Sequence, residues 1–283
     1  MKKQPLPELI NRMDAGATGN QENGDNFIQV AISHPVASLL AGLRFLTIIP
    51  VSWKQENDSR FFKASLVWFP FLGLCVGGIA WLLVSLCIAY LPASVTAVFA
   101  MILLAGISGC LHLDGLADSF DGLLSSRPRI RALEIMRDSH VGAMGVLALI
   151  FVLLGKYAAL SSLSPTGMLQ AVILIPLAGR TAIIVSMAIL PYARSGDGLG
   201  LLFYSSNSRW IAFIGSLFCL VIALFFSLEA FFIVLAAILI PVALFGFWCN
   251  RKLGGATGDT LGAVCELTEF SVAIGFSVLY SIQ

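Results

Sequence analysis

Residues 65–90, SLVWFPFLGLCVGGIAWLLVSLCIAY, decide the fold, because this long apolar stretch contains no charged side chain. A helix of about 20 residues crosses a hydrocarbon core of about 30 Å, and it pairs its own backbone groups where lipid offers no partner. Five more stretches are predominantly apolar, although the first of them is short and two contain a single basic residue, Lys156 or Arg180: 96–111, 143–160, 168–190, 211–228 and 231–249. The sequence therefore predicts an all-α fold whose helices span a membrane.

Two further stretches are less uniform. Residues 261–280 are long enough to span, but Glu266 and Glu269 give this segment a polar inner end. Residues 34–51 are interrupted by Arg44 and Pro50, which is typical of an interfacial or partly inserted helix. We predict a polytopic integral membrane helical bundle with about seven spans, or eight if residues 34–51 also cross.

The composition excludes a water-soluble domain. Hydrophobic residues make up 58% of the 283-residue chain, charged residues only 12%, and the mean hydropathy is +0.91; a soluble domain carries about twice that charged fraction. A net charge of +1 gives no broad basic field, so no nucleic-acid partner is expected. Residues 1–33 are polar and lack the apolar core of a secretory signal, which predicts a disordered cytoplasmic tail before a membrane-embedded domain at 34–283.

Positive charge is concentrated in alternate loops. Four loops hold most of the Lys and Arg residues: 53–63, 112–142, 191–209 and 250–260. Short loops rich in Lys and Arg stay on the cytoplasmic side of a membrane, so these four are predicted to face the cytoplasm. Lys156 is the exception, and its long side chain is predicted to reach the headgroups near the outer end of its helix.

The loop at 112–142 carries a row of acids. Asp114, Asp118 and Asp121 are four and three residues apart, which places them on one face if the segment is helical. Carboxylates that repel one another are brought together by a hard divalent cation such as Mg²⁺, which prefers oxygen ligands. A solvated loop that caps the preceding helix is the simpler alternative.

Acids and arginines follow in the same loop. Glu134 and Asp138 are an i, i+4 pair, and four arginines lie close by: Arg127, Arg129, Arg131 and Arg137. Guanidinium groups suit phosphate oxygens, so the pattern indicates a metal-assisted phosphate site. An ordinary surface pair between Arg131 and Glu134 is the alternative.

Two glycine-containing loops, 191–200 and 254–259, have exposed backbone N–H groups that can approach an anion. The first contains Arg194, and the second contains Asp259, which can share a helix face with Glu266. Neither loop has a nucleotide-binding glycine spacing. Arg180 lies inside an apolar segment, where an arginine has a function or pairs with a buried acid.

Several segments together resemble the cobalamin synthase family, the integral-membrane adenosylcobinamide-GDP ribazoletransferases. The similarity covers about residues 34–283 and rests on five segments in order: GLRFLTIIPV at 42–51, HLDGLADSFDG at 112–122, RALEIMRDSHVGAMG at 131–145, PYARSGDGLG at 191–200 and GGATGDTLGAVCELTE at 254–269. His140 departs from the pattern, because the family would have Arg there.

The resemblance implies a reaction in the last steps of cobalamin biosynthesis. A hydroxyl of α-ribazole, or of its 5'-phosphate, attacks the diphosphate of adenosylcobinamide-GDP at the phosphorus nearer the corrinoid and expels GMP. Mg²⁺ on Asp114, Asp118 and Asp121 would neutralise the diphosphate, while Asp121 or Asp138 takes the proton. The remaining roles expected are catalytic for Arg137 and substrate-binding for Arg131, Arg180, Arg194, Asp259 and Glu266.

The same resemblance implies a multi-pass enzyme of the bacterial inner membrane whose active site faces the cytoplasm. A homo-oligomer or a complex with other enzymes of the pathway stays open. A CDP-alcohol phosphotransferase of phospholipid synthesis is the second hypothesis, but Glu134 and Asp138 lack the glycine that would precede its second pair of aspartates. A secondary transporter is the third, and its repeated halves are not visible in the sequence.

Overall fold

The computed structural model describes residues 26–51, 58–194, 203–204 and 208–282, and this part of the chain forms helices and no strand. The shorter helices are α1 (Phe27–Ser33), α2 (Pro35–Leu46), α3 (Asp58–Ala64), α6 (Leu111–Leu124) and α7 (Arg129–Ile135). The longer ones are α4 (Phe69–Ile88), α5 (Ala93–Ile107), α8 (Ala143–Ser161), α9 (Pro165–Ile189), α10 (Ser208–Phe226), α11 (Leu228–Leu253) and α12 (Gly258–Ile282). A 3-10 turn, Ser65–Trp68, continues α3 into α4.

Six helical segments in the described ranges are long and apolar enough to cross a membrane, which confirms the predicted all-α polytopic class. They are Asp58–Ile88, Ala143–Ser161, Pro165–Ile189, Ser208–Phe226, Leu228–Leu253 and Gly258–Tyr280. Two bent pairs raise the number to eight if each counts as one span: α1 with α2, bent by 111°, and α5 with α6, bent by 88°. The prediction of about seven spans lies between these values.

Both bends lie in stretches that the sequence marks as imperfect spans, the interrupted residues 34–51 and the short residues 96–111. The predicted span at 96–111 ends as a helix at Ile107, because Gly109 and Cys110 adopt positive φ angles of 61° and 59° that turn the chain. α6 then leaves in a new direction and lies outside the six long helices. The acids of the 112–142 loop are therefore carried by a helix that crosses the end of α5.

The start of the folded region differs from the predicted boundary at residue 34. α1 lies within the predicted tail; Phe27 and Val30 are buried, and the Asn26 side chain accepts hydrogen bonds from the N–H groups of Ile28 and Gln29. Such an N-cap stabilises the first turn of a helix. The prediction for residues 1–25 lies outside the described residues.

α9 forms the centre of the bundle, and most of its length is buried. It packs against α4 through a pair of glycines: a Cβ on Gly73 would lie 2.5 Å from the Pro176 carbonyl oxygen, and one on Gly77 would lie 2.5 Å from that of Ile173. Small residues four apart let two helix backbones approach this closely. The contact fixes the depth of α4 relative to α9.

Three of the basic loops meet at one end of the bundle, which we call the loop end. Arg129 of the 112–142 loop donates hydrogen bonds to the backbone oxygens of Leu253 and Ala193, which belong to the other two. At the opposite, far end, the hydroxyls of Ser162 and Ser277 are 2.9 Å apart. The functional residues predicted from the loops therefore converge at the loop end.

Candidate active site

Close packing of α6 on α12 brings aspartates from both helices together. A Cβ on Gly115 would lie 2.7 Å from the backbone oxygen of Asp259, and one on Gly262 would lie 3.3 Å from the His112 Cα. Because these glycines have no side chain, α6 lies directly on the first turns of α12. Asp114 and Asp118 of α6 are thereby placed beside Asp259 of α12.

Asp118 has three other carboxylates close enough to repel it. Partial burial, together with repulsion from Asp114, Asp259 and Asp121, raises the pKa of its carboxyl group to about 7. Arg194 partly offsets this rise. We call Asp114, Asp118, Asp121 and Asp259 the acidic cluster. Its negative charge is only partly compensated by the protein.

Asp121 has a different geometry from the other members of the acidic cluster. Its carboxylate accepts hydrogen bonds from the backbone N–H groups of Gly142, at 2.7 Å, and Gly145, at 2.8 Å. These groups belong to the N-terminus of α8, where a negative charge is stabilised by unpaired N–H groups and by the helix dipole. Asp121 therefore anchors α8 to α6.

The three predicted magnesium ligands are thus brought to one region but not to one point. Asp114 and Asp118 share the cluster with Asp259, whereas the Asp121 carboxylate is directed to α8. Within the described ranges, no three His, Cys, Asp or Glu side chains converge closely enough to hold a metal ion. The chemistry of the donors still fits a hard divalent cation, because uncompensated carboxylates are the ligands that it binds.

The two glycine-containing loops are joined to each other beside the acidic cluster. The N–H of Ala193 donates to the Ala256 oxygen, and the N–H of Ala256 donates to the Pro191 oxygen, both at 2.8 Å. Arg194 follows directly and donates to Asp259 at 2.7 Å. The predicted substrate residues Arg194 and Asp259 are therefore an ion pair, which ties the loop after α9 to the start of α12.

Arg129 also links the loop after α9 to the end of α11. Its Nε donates to the Leu253 oxygen at 2.5 Å and its Nη2 to the Ala193 oxygen at 2.7 Å. The first acceptor is a carbonyl of the last turn of α11, which has no partner within its own helix. The sequence grouped Arg129 with the phosphate-binding arginines, but the structure uses its guanidinium group to join two loops.

Arg129→Ala is expected to lower the free energy of unfolding by about 1–3 kcal/mol, because two partly buried carbonyl oxygens lose their charged donor. Arg131→Ala is the matched control, since its exposed pair with Glu134 contributes less than about 1 kcal/mol. Thermal unfolding of both variants in detergent measures the difference. Equal stability of the two variants would contradict the role of Arg129.

The other charged side chains of the 129–140 segment are exposed. Arg131 and Glu134 form an i, i+3 pair at 2.7 Å, as in the structural alternative considered above. Asp138 accepts hydrogen bonds from the N–H of His140 and pairs with its ring Nδ1 at 2.6 Å, and these contacts lower the pKa of the Asp138 carboxyl group. Arg137 is exposed and close enough to Tyr192 to act on it electrostatically.

Arg180 and Glu266 lie in the interior of the bundle instead. Arg180 pairs with Glu269, and Lys156 pairs with Glu266 at 2.6 Å and with Glu269 at 2.8 Å. All four side chains are at most 8% exposed. We call these four residues the buried ion network; it matches the structural alternative for Arg180, in which it pairs with an acid.

The prediction for Lys156 is wrong, because this side chain is buried and does not reach the headgroups. A lone lysine near a helix end suggested an interfacial position, but its partners lie on α12, 110 and 113 residues away. In the sequence, the two acids inside a predicted span, Glu266 and Glu269, were the sign that a buried cation such as Lys156 could pair with them. The backbone donors for Asp121 were also missed, although Gly142 and Gly145 stand where a helix N-terminus begins.

Fold and site together define a multi-pass, all-α membrane protein with aspartates, arginines and glycine-containing loops gathered at one end of the bundle. Residues 38–277 match the sequence profile of the cobalamin-5-phosphate synthase family, and the chain belongs to that family. The resemblance found in the sequence motifs is thereby confirmed. No solved structure matches the chain.

Several curated relatives are similar along nearly their whole length, and each is named adenosylcobinamide-GDP ribazoletransferase. The protein of Clostridium acetobutylicum is 38% identical over 243 residues, covering 86% of this chain and 96% of the relative. The protein of Acetivibrio thermocellus is 38% identical over 232 residues, covering 82% and 93%. The protein of Roseiflexus sp. (strain RS-1) is 40% identical over 236 residues, covering 83% and 87%.

Proposed function

We propose that this protein joins α-ribazole, or its 5'-phosphate, to adenosylcobinamide-GDP and releases GMP. The names of its relatives support this activity, because they are similar over most of both chains. The observation in the structure that carries the proposal is the crowding of Asp118 by three other carboxylates, with the Arg194 guanidinium group beside them. Carboxylates and arginines in one place suit a diphosphate substrate with a divalent cation.

The transfer makes and breaks one phosphorus–oxygen bond. The hydroxyl oxygen of α-ribazole attacks the phosphorus nearer the corrinoid, and the bond from this phosphorus to the bridging oxygen breaks, so that GMP leaves with that oxygen. Asp121 has both carboxylate oxygens engaged by backbone N–H groups, so we assign the hydroxyl proton to Asp138. A weak base is sufficient, because phosphoryl transfer depends mainly on positioning and electrostatic stabilisation.

Mg²⁺ is part of the proposal. Asp114 and Asp118 would hold it, with Asp259 and Asp121 adding negative charge nearby. When bound, the ion would neutralise charge on the diphosphate and on the departing GMP. Arg194, Arg137 and Arg131 would bind phosphate oxygens at the same end of the bundle.

Membranes that contain this protein, supplied with adenosylcobinamide-GDP, α-ribazole and Mg²⁺, are expected to release GMP and form the joined corrinoid. A parallel reaction with CDP-diacylglycerol and an alcohol tests the phospholipid hypothesis, and we expect no CMP from it. Addition of a chelator is expected to stop GMP release. CMP release without GMP release would overturn the proposal.

We further propose that the loop end faces the cytoplasm of the bacterial inner membrane. The Lys and Arg residues of its loops support this orientation, whereas the 161–167 loop has none. A reporter inserted after Ser164 is expected to be extracytoplasmic, and one inserted after Arg127 cytoplasmic. Activity of paired alkaline phosphatase and fluorescent protein fusions measures this, and the reverse pattern would contradict it.

A further inference from the structure

α5 is too short to cross the hydrocarbon core of a membrane by itself. It has 15 residues and is about 22 Å long, whereas α11 has 26 residues and is about 39 Å long. The core is about 30 Å thick. Tyr90, 86% exposed in the turn before α5, is an aromatic residue of the kind that lies at a headgroup layer. With this turn at the headgroups of the far end, α5 ends before it reaches the headgroups of the loop end.

The contacts of α5 and α6 with α12 support the same depth. Leu104 and Ala105 of α5 line a small cavity together with Glu266, which is about two turns inside α12. The Cα of His112, at the start of α6, lies against Gly262, about one turn inside α12, because a Cβ on this glycine would be 3.3 Å away. α6 therefore begins about 5 Å below the loop-end terminus of α12.

The chain between α5 and α6 packs against the chain that follows α2, and we call residues 47–49 and 107–111 the elbow. Ile48 joins the two parts: its N–H donates to the Ile107 oxygen at 2.8 Å, and a Cβ on Gly109 would lie 2.7 Å from its Cγ2. In lipid, backbone N–H groups must be paired within the protein. The elbow meets this requirement, because the N–H groups of residues 47–49 and 108–111 all donate to oxygens of the chain.

The surface of the elbow is apolar and uncharged. The hydroxyls of Thr47 and Ser108 donate to backbone oxygens of their own helices, and both residues are buried. Residues 45–53 and 107–111 contain no Asp, Glu, Lys or Arg. Three large apolar side chains are exposed, together with Cys110: Ile48 (67%), Ile49 (39%) and Leu111 (40%). Lipid acyl chains suit such a surface, because they neither offer nor require a polar partner.

We propose that the elbow contacts the acyl chains of the loop-end leaflet, so that α6 begins below the lipid headgroups and not in water. The acidic cluster starts at Asp114, one turn after Cys110, and includes Asp259 in the first turn of α12. It is then recessed from the aqueous surface to the depth of the headgroups. This inference concerns the position of the site in the membrane and does not depend on the reaction proposed above.

Nitroxide labels on the full-length protein, in vesicles of phosphatidylethanolamine and phosphatidylglycerol, test the depth of the elbow. Cys75→Ala and Cys87→Ala leave Cys110 as the one cysteine that is not buried. A label on Cys110 is expected to collide with a water-soluble nickel chelate about 10-fold less often than a label on Arg251→Cys, because the chelate is excluded from hydrocarbon. Arg251 is exposed in the last turn of the long helix α11. Equal collision rates at the two positions would overturn the inference.

Two further labels, each combined with Cys110→Ala as in Arg251→Cys, complete the comparison. Phe99→Cys is the lipid control, because Phe99 is exposed in the middle of α5. Ile48→Cys places a label on the other half of the elbow and leaves the positive-φ turn intact. It is expected to be as inaccessible to the chelate as Cys110, and accessibility equal to that of Arg251→Cys would overturn the inference. No substrate is used, so the result is independent of GMP release.

Discussion

Asp118→Asn is expected to lower the rate of GMP release by about 100-fold or more, without destabilising the protein. Asp118 lies in the middle of the acidic cluster, where the proposed magnesium ion needs its negative charge. The amide is nearly the same size and removes the charge alone. Release of GMP at saturating Mg²⁺ and substrate measures the effect, and activity near that of the parent would contradict the proposed metal site.

Stability should change in the opposite direction to activity. The pKa of Asp118 is raised from 3.8 to about 7, so the folded protein holds this proton more tightly than the unfolded chain does. Without divalent cations, the contribution of this group to stability is therefore full at low pH and is lost as pH rises from 3.8 toward about 7. Asn lacks this titration, so the variant is expected to be at least as stable as the parent at pH 7.

The control for Asp118→Asn is Glu229→Gln. Glu229 is exposed in the first turn of α11 at the far end, and the substitution also replaces one carboxylate with an amide. It is expected to keep the parent rate of GMP release. A similar loss of activity in both variants would indicate a general effect of charge and would contradict the specific role of Asp118.

The second large effect concerns the buried ion network. Glu269→Gln is expected to lower the free energy of unfolding by about 3–5 kcal/mol, because Arg180 and Lys156 then share one remaining acid, Glu266, in an apolar interior. Unfolding by SDS in mixed micelles measures the change. Glu134→Gln is the control, since its exposed pair with Arg131 contributes less than about 1 kcal/mol.

Restoring the charge balance should recover much of this loss. The double variant Arg180→Met with Glu269→Gln leaves one cation, Lys156, and one anion, Glu266, which stay paired at 2.6 Å. We expect it to be more stable than Glu269→Gln alone, which is a non-additive result typical of residues in contact. Losses that simply add would contradict the interpretation of these four side chains as one electrostatic unit.

The sequence was sufficient for features that depend on local composition. Long apolar runs located the spanning helices. The spacing of Asp114, Asp118 and Asp121 would place them on one face of a helix, and all three lie in α6. Loop charge correctly grouped the 112–142, 191–209 and 250–260 loops at one end. Each of these signals is contained within a single segment, so no knowledge of packing was needed.

Features that depend on distant partners were not predictable in the same way. Lys156 was placed at the membrane surface because its partners on α12 are far away in sequence. Arg129 resembles the other arginines of its loop until Leu253 and Ala193 are brought to it by folding. The Asp121 carboxylate likewise is directed to α8 only because packing puts that helix N-terminus within reach.

The order of the buried ion network along the chain has a consequence for biogenesis. A ribosome makes the two cations, on α8 and α9, well before the two glutamates on α12. The nascent protein therefore holds two positive charges in the bilayer until its last helix inserts. A chain cut short before α12 would leave Lys156 and Arg180 without their acidic partners in an apolar environment, where an unpaired charge is costly, so we expect the truncated protein to insert or pack poorly.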